Sequence, residues 1–165
     1  VFNTTLGAEH DTELVRGGDE PWYLPADGAH PRHRIAFAHG FFSSALHEIA
    51  HWCIAGARRR RLVDFGYWYR PDGRDASAQE EFERVESRPQ AIEWAFSLAA
   101  RQPFHVSLDN LSGEVMDPAP FERRVHAALA RYAHNGFPPR AGRFIPVLEA
   151  TFGGRFRLPP PPAGE

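Results

Sequence analysis

The stretch from His47 to His51 constrains this protein most, because it reads His-Glu-Ile-Ala-His within an apolar pattern of helical period. Side chains four positions apart lie on one face of a helix, so the two imidazoles can bind a single metal ion. The alternative is a buried helix whose histidines bond to backbone carbonyls. We favour the metal site, because this spacing fits metal ligands well and such a pentad rarely occurs by chance.

Two histidines leave a metal site incomplete, so a third protein ligand is expected. The candidates are Glu86, Glu83, Asp75, Asp72, His39 and Asp64. Glu86 is attractive because it stands beside an apolar helical segment, where an unpaired acid is costly and a metal ion would compensate it. The alternative is a surface carboxylate that pairs with Arg84 or Arg88.

Glu48 lies between the two histidines. In hydrolytic enzymes with this pattern the glutamate is the general base for a metal-bound water, and alternatively it orients a ligand from outside the coordination sphere. Two histidines and one carboxylate hold zinc in peptidases and ferrous iron in oxygenases. The ligand types therefore narrow the class of enzyme without selecting the reaction.

Composition limits the class of protein further. A length of 165 residues and a hydrophobic content of 42% predict one globular domain. No apolar run is long enough to cross a membrane, and a formal net charge of −2 does not favour DNA binding. The single cysteine, Cys53, is typical of a cytoplasmic protein. We expect the arginine run 58–61 to complement a helix C-terminus, with docking of an acidic macromolecule as the alternative.

Periodicity and turn residues predict an α+β fold, in which a small sheet packs against several helices and the metal site lies on the His47–His51 helix. We expect residues 1–34 to be irregular. The expected strands are 35–38 and 61–69. A first helix is expected to begin near Ser43 or Ser44 and a second near Ala76. Three more are expected from Pro89, with Ser87 as its cap, to about 98, from about Pro120 to 135, and from about Arg143 to 152. One catalytic domain is predicted over 1–156, followed by a proline-rich flexible tail at 157–165.

Eleven short segments match one known family in order over nearly the whole sequence. They are GDEP at 18–21, YLPAD at 23–27, FAHGF at 37–41, HEIAHWCIAG at 47–56, LVDFGYWY at 62–69, PDGRDA at 71–76, VE at 85–86, PQA at 89–91, DNL at 109–111, RVH at 124–126 and NG at 135–136. With these segments the protein resembles the bacterial elongation factor P hydroxylases. It departs from the family pattern at Arg88, where lysine is expected, and after Phe152.

This resemblance implies an enzyme that hydroxylates a lysine of elongation factor P after that lysine has received a β-lysyl group. It also implies that His47, His51 and Glu86 are the two-histidine, one-carboxylate metal ligands. The implied fold is similar to that of a metal-dependent endoribonuclease.

We therefore predict ferrous iron as the cofactor and dioxygen as the cosubstrate, because an unactivated C–H bond needs such an oxidant. Zinc or another divalent metal is an alternative in the isolated protein. The expected substrate contacts are His39, Asp64, Tyr67, Asp72 and Asp75. Turn and capping roles are alternatives for the last two. The rival functions are a zinc peptidase with Glu48 as base, a metal-dependent nuclease and a non-catalytic metal-stabilised module.

Overall fold

The computed structural model describes residues 1–66, 74–108 and 117–162. Within these ranges the protein forms a three-stranded sheet and five α-helices. The strands are β1 (Thr12–Arg16), β2 (Trp22–Leu24) and β3 (His33–Phe37). The helices are α1 (Leu6–Glu9), α2 (Phe42–Ile54), α3 (Ala76–Ala99), α4 (Ala119–Asn135) and α5 (Pro139–Phe152). These elements confirm the predicted α+β class.

The sheet has the order β1-β3-β2, with β3 parallel to β1 and antiparallel to β2. Leu14 and Tyr23 lie opposite Ile35 on either side of it, so the central strand is the buried one. The predicted strand at 35–38 is confirmed, with bounds shifted toward the N-terminus. The prediction that residues 1–34 are irregular is wrong, because this region contains β1, β2 and α1. Such short strands have too few residues to show a period. These residues form strands because they pair with β3.

The predicted strand at 61–69 is wrong over its described part. Tight 3-10 turns cover Arg59–Arg61 and Val63–Gly66 instead. Asp64 and Phe65 both have positive φ, at 47° and 57°, which no strand accommodates. The Phe65 ring stacks on Tyr23 at 4.1 Å between centroids and is buried, whereas Val63 is exposed. Apolar residues in a turn therefore imitate a strand pattern, and residues 67–69 lie outside the described ranges.

A single helix, α3, runs through Pro89, so the prediction that a new helix begins there is wrong. Ser87 does not cap a helix; its hydroxyl donates to the carbonyl of Arg84 at 3.2 Å, within the helix. Proline removes one helical hydrogen bond, and burial of the surrounding residues offsets this loss. The N-terminus of α3 is capped by Asp75, whose carboxylate accepts the N–H of Ala78 at 2.9 Å.

The other three predicted helices are confirmed as α2, α4 and α5. Gly136 ends α4 with φ of 95°, a conformation that favours glycine. The helix α5 begins at Pro139, earlier than periodicity indicates, because proline is well suited to a first helical position. The Phe144 ring of α5 makes edge-to-face contacts with Phe2 and Phe96, and these contacts join the N-terminus, α3 and α5 in one core.

The C-terminal segment continues along the helices beyond α5. The Phe156 ring packs edge-on against Phe137, and the carbonyl of Pro159 lies 2.9 Å from Nε2 of His126. The domain bounds and the flexible tail stay predictions.

Among the helices of the described ranges, none has both the length and the hydrophobicity that crossing a membrane requires.

Two arginines bind the C-terminus of α2. The Arg140 guanidinium of α5 lies over the Trp52 ring and donates to the carbonyls of Trp52, Cys53 and Ala55. Arg60 donates to the Ala55 carbonyl at 2.7 Å. This contact confirms, for Arg60, that the arginine run complements a helix C-terminus. These contacts fix the C-terminal end of the helix that carries His47 and His51.

We predict that Arg140→Ala lowers the free energy of unfolding by about 2–4 kcal/mol, because it leaves helix carbonyls without a charged donor. Urea unfolding followed by far-UV circular dichroism measures this loss. The matched control on the same helix is Arg143→Ala, which removes only an exposed ion pair with Glu9 and should cost about 0–1 kcal/mol. Equal losses for the two variants would contradict the capping role.

Candidate metal centre

The helix α2 presents His47 and His51 on one face while its other faces are buried in the core. Opposite this face lies α3, in antiparallel orientation: His47 faces Glu93, and His51 faces Glu86. The apolar residues between and beside the histidines are buried and so fix the rotation of the helix: Leu46, Ile49, Ala50, Trp52 and Cys53.

Three atoms converge between the two helices. The Nε2 atoms of His47 and His51 lie 3.0 Å apart, and the Oε2 atom of Glu86 lies 3.6 Å from the first and 3.3 Å from the second. Ligand atoms about 2.1 Å from one ion, at angles of about 90–120°, are separated by about 3.0–3.6 Å. Of the described histidine, cysteine, aspartate and glutamate side chains, these three form the group that could hold a metal ion.

The carboxylate of Glu86 is the part of the site that most clearly fits a cation. Its residue is 1% exposed, and neither carboxylate oxygen has a hydrogen-bond partner among the described residues. The His51 contact at 3.3 Å is an ion-pair distance. A buried carboxylate without hydrogen bonds is costly, and a divalent cation bound at Oε2 would compensate it. These contacts pair Glu86 with the two histidines, whereas the alternative expectation paired it with Arg84 or Arg88.

Glu93 holds the outer side of the His47 ring. Its Oε2 atom accepts a hydrogen bond from Nδ1 of His47 at 2.8 Å, and the side chain is 11% exposed. With a proton on Nδ1, the lone pair of Nε2 points toward His51 and Glu86. Metal-binding histidines usually have such a partner on the second ring nitrogen.

The charges of the site favour a bound cation. Burial alone would lower the pKa of His47, but the carboxylates of Glu93, Glu86 and Glu48 outweigh it and raise the pKa to about 10. Burial would raise the pKa of Glu86, yet the imidazoles of His51 and His47 and the Arg74 guanidinium bring it below its ordinary value. Without a metal, a proton on His47 supplies positive charge that a divalent ion would supply when bound.

Glu48 is half-buried on the same helix, beside the histidine face. Burial raises the pKa of its carboxyl, although positive charge on His47 and His51 acts in the opposite direction. Its proximity to both imidazoles agrees with a role next to the metal ligands. Glu83, a further ligand candidate, is buried but lies 3.7 Å from Arg124, outside the three-residue group.

Three of the predicted substrate contacts, His39, Asp64 and Asp75, have other partners in the structure. His39 has a positive φ, lies 3.7 Å from Asp19 and contacts the Phe41 ring. The carboxylate of Asp64 accepts the N–H of Tyr23 at 2.7 Å, which stabilises the turn after the arginine run. The capping alternative holds for Asp75.

Tyr67 and Asp72 lie outside the described residues. A role for any of these five residues in substrate binding stays a prediction.

Sequence reasoning does not identify Glu93, although a signal is present. Six buried polar residues recur along α3 at alternating spacings of four and three. They are Gln79, Glu83, Glu86, Gln90, Glu93 and Ser97. Such a repeat places all six on one face of a continuous helix. A helix start at Pro89 assigns Glu86 and Glu93 to different helices, which hides the face that they share.

The fold and the site define a class of protein first: an α+β protein in which two packed helices form a candidate metal centre of two histidines and one carboxylate. An arrangement of this kind with few ligands leaves positions for chemistry, as catalytic metal sites do.

Comparison with known proteins identifies the family. The sequence model of the elongation factor P hydroxylases matches residues 1–158. The elongation factor P lysine hydroxylase of Haemophilus influenzae is 52% identical over 152 residues, which are 92% of this protein and 85% of that relative. The protein therefore belongs to the elongation factor P hydroxylase family, and the predicted resemblance is confirmed. This membership favours an oxidative enzyme over the peptidase, nuclease and non-catalytic alternatives.

We predict that Glu86→Gln abolishes stabilisation by metal in a protein that still folds. The amide keeps the shape of the side group, so the core stays packed, but it lacks the anionic oxygen that would bind the cation. Wild-type protein should gain about 2.7 kcal/mol at a metal concentration 100 times the dissociation constant, and the variant should gain almost nothing. Thermal melts with and without metal measure both quantities.

The control for this experiment is Glu9→Gln, which removes an exposed carboxylate near the N-terminus, outside the metal centre. It should retain the full metal-induced shift. A Glu86→Gln protein that binds metal with wild-type affinity would remove Glu86 from the ligand set.

Proposed function

We propose that this protein hydroxylates the β-lysylated lysine of elongation factor P, with ferrous iron on His47, His51 and Glu86 and dioxygen as the cosubstrate. The observation that carries the proposal is the convergence of two imidazole nitrogens and one buried carboxylate oxygen in a member of this family. Because the substrate is a translation factor and Cys53 is a buried free thiol, we expect the reaction to occur in the cytoplasm.

His47, His51 and Glu86 would hold a ferrous ion, which would supply the redox chemistry toward dioxygen that replacing an unactivated C–H bond of the lysine arm by C–OH requires. The protein's own residues prepare the site. His47 and Glu86 would hold the ion from opposite helices, and the packed core around them limits access of water. The side chain of His47 is 24% exposed, which makes it the most accessible of the three ligands.

The acidic residues around the two imidazoles suit a cationic substrate. Glu86 and Glu93 balance the charge of one divalent ion if both histidines are neutral ligands, and the ionised fraction of Glu48 adds negative charge beside them. A lysine arm with ammonium groups is attracted to such a site. Zinc, by contrast, would fit the same ligands but offers no redox chemistry.

Glu48 is proposed to deliver a proton that the reduction of dioxygen consumes. Its burial raises the pKa of the carboxyl, which increases the fraction that carries a proton, and it is adjacent in sequence to the ligand His47. This assignment replaces the hydrolytic role, in which the same carboxylate would remove a proton from water.

Isotope labelling tests the proposed reaction. Enzyme loaded anaerobically with Fe(II) should add one oxygen atom to β-lysylated elongation factor P when dioxygen and a two-electron reductant are supplied. Mass spectrometry should find the label after reaction in ¹⁸O₂ and not after reaction in H₂¹⁸O. Folded, iron-loaded enzyme that adds no oxygen, or adds it from water, would overturn the hydroxylase proposal.

We predict that Glu48→Gln lowers kcat about 100-fold while iron content stays at the wild-type level, because the amide has no transferable proton. Steady-state kinetics and metal analysis of the same preparation measure the two effects. If kcat is unchanged, Glu48 has no catalytic role. If iron is lost instead, Glu48 positions the metal ligands and does not transfer a proton.

A further inference from the structure

The polar face of α3 contains a second acid directed at the metal centre. Glu93 follows Glu86 by seven positions, two helical turns, so both carboxylates face α2. Glu86 approaches the Nε2 atoms of both histidines, whereas Glu93 contacts only the opposite nitrogen of His47. One rigid helix thus contacts both ends of the same imidazole.

We infer that Glu93 is a positioning residue that fixes the tautomer and the rotation of His47 for metal binding. The inference deepens the proposed function and rests on it, because it concerns the same centre. A carboxylate acceptor 2.8 Å from Nδ1 keeps the proton on that nitrogen and leaves Nε2 as the ligand atom. Without the acceptor, a neutral imidazole can place its proton on Nε2, where it would block the metal.

The surroundings of Glu93 keep this contact in register. Gln90, one turn earlier on the same face, accepts the N–H of Ser107 at 3.0 Å and donates to its carbonyl at 2.8 Å. Trp94 stacks on Phe104 at 4.9 Å between ring centroids. These contacts attach the segment before residue 108 to α3. They stabilise the part of the helix that carries Glu93.

A purely structural role for Glu93 makes a different prediction. If the carboxylate only stabilised the packing of α2 on α3, its loss would lower the free energy of unfolding and leave the metal affinity of the folded protein unchanged. If it positions His47, metal affinity falls even in fully folded protein. Loss of such a partner typically weakens metal binding about 10–100-fold.

Competition with a chromophoric chelator tests the inference without turnover, using Zn(II) and Co(II) as probes. We expect Glu93→Ala to bind both metals about 10–100-fold more weakly than wild type. Glu93→Gln should retain most of the affinity, because its amide oxygen still accepts from Nδ1. The control Glu80→Ala removes an exposed acid from the same helix and should bind as wild type does.

The tautomer gives an independent readout. Long-range ¹H–¹⁵N spectra of the Zn(II)-loaded protein should show His47 as a single tautomer with its proton on Nδ1 in wild type and in Glu93→Gln, and a mixture of tautomers in Glu93→Ala. Wild-type affinity and an unchanged tautomer in Glu93→Ala would overturn the inference and leave the proposed function intact. Failure of the wild-type protein to bind either metal would overturn both.

Discussion

The packing of α2 against α3 is the constraint on which this structure depends, because it buries Glu86 beside two imidazoles. A buried carboxylate with no hydrogen bond destabilises a folded protein unless positive charge is close by. In the metal-free state, protonation of His47 provides that charge, and a divalent ion can replace the proton. The stability of the helix pair and its capacity for metal binding are thus properties of the same contact.

The remaining elements hold these two helices in place. Arg140 and Arg60 bind the C-terminal carbonyls of α2, and Asp75 caps the first turn of α3. Phe144 of α5 contacts Phe96 of α3 directly and is connected to Trp52 of α2 through the Phe2 ring. Strand β3 packs against α2 and ends in the turn at His39, which leads directly into the helix. Most of the described structure therefore serves to fix the rotation and spacing of α2 and α3.

Some features are predictable because they depend on neighbours in sequence. The spacing of His47 and His51 places them on one helical face whatever surrounds them, and Gly136 ends α4 through its own backbone freedom. Others are not predictable in this way. Residues 61–66 have strand-like composition but form turns, because Phe65 packs on Tyr23 and Asp64 bonds to the Tyr23 backbone. A local pattern contains no information about these distant partners.

The sequence by itself determined the helical metal-binding motif, the α+β class and the family, since each depends on local periodicity or on segments in fixed order. Only the tertiary structure decided that α3 continues through Pro89, and this continuity brings Glu86 and Glu93 to the same face. The physical reason is burial. A proline break is favoured in an isolated segment, but a helix whose flanks pack against α2, α4 and α5 gains more from remaining continuous than it loses in one hydrogen bond.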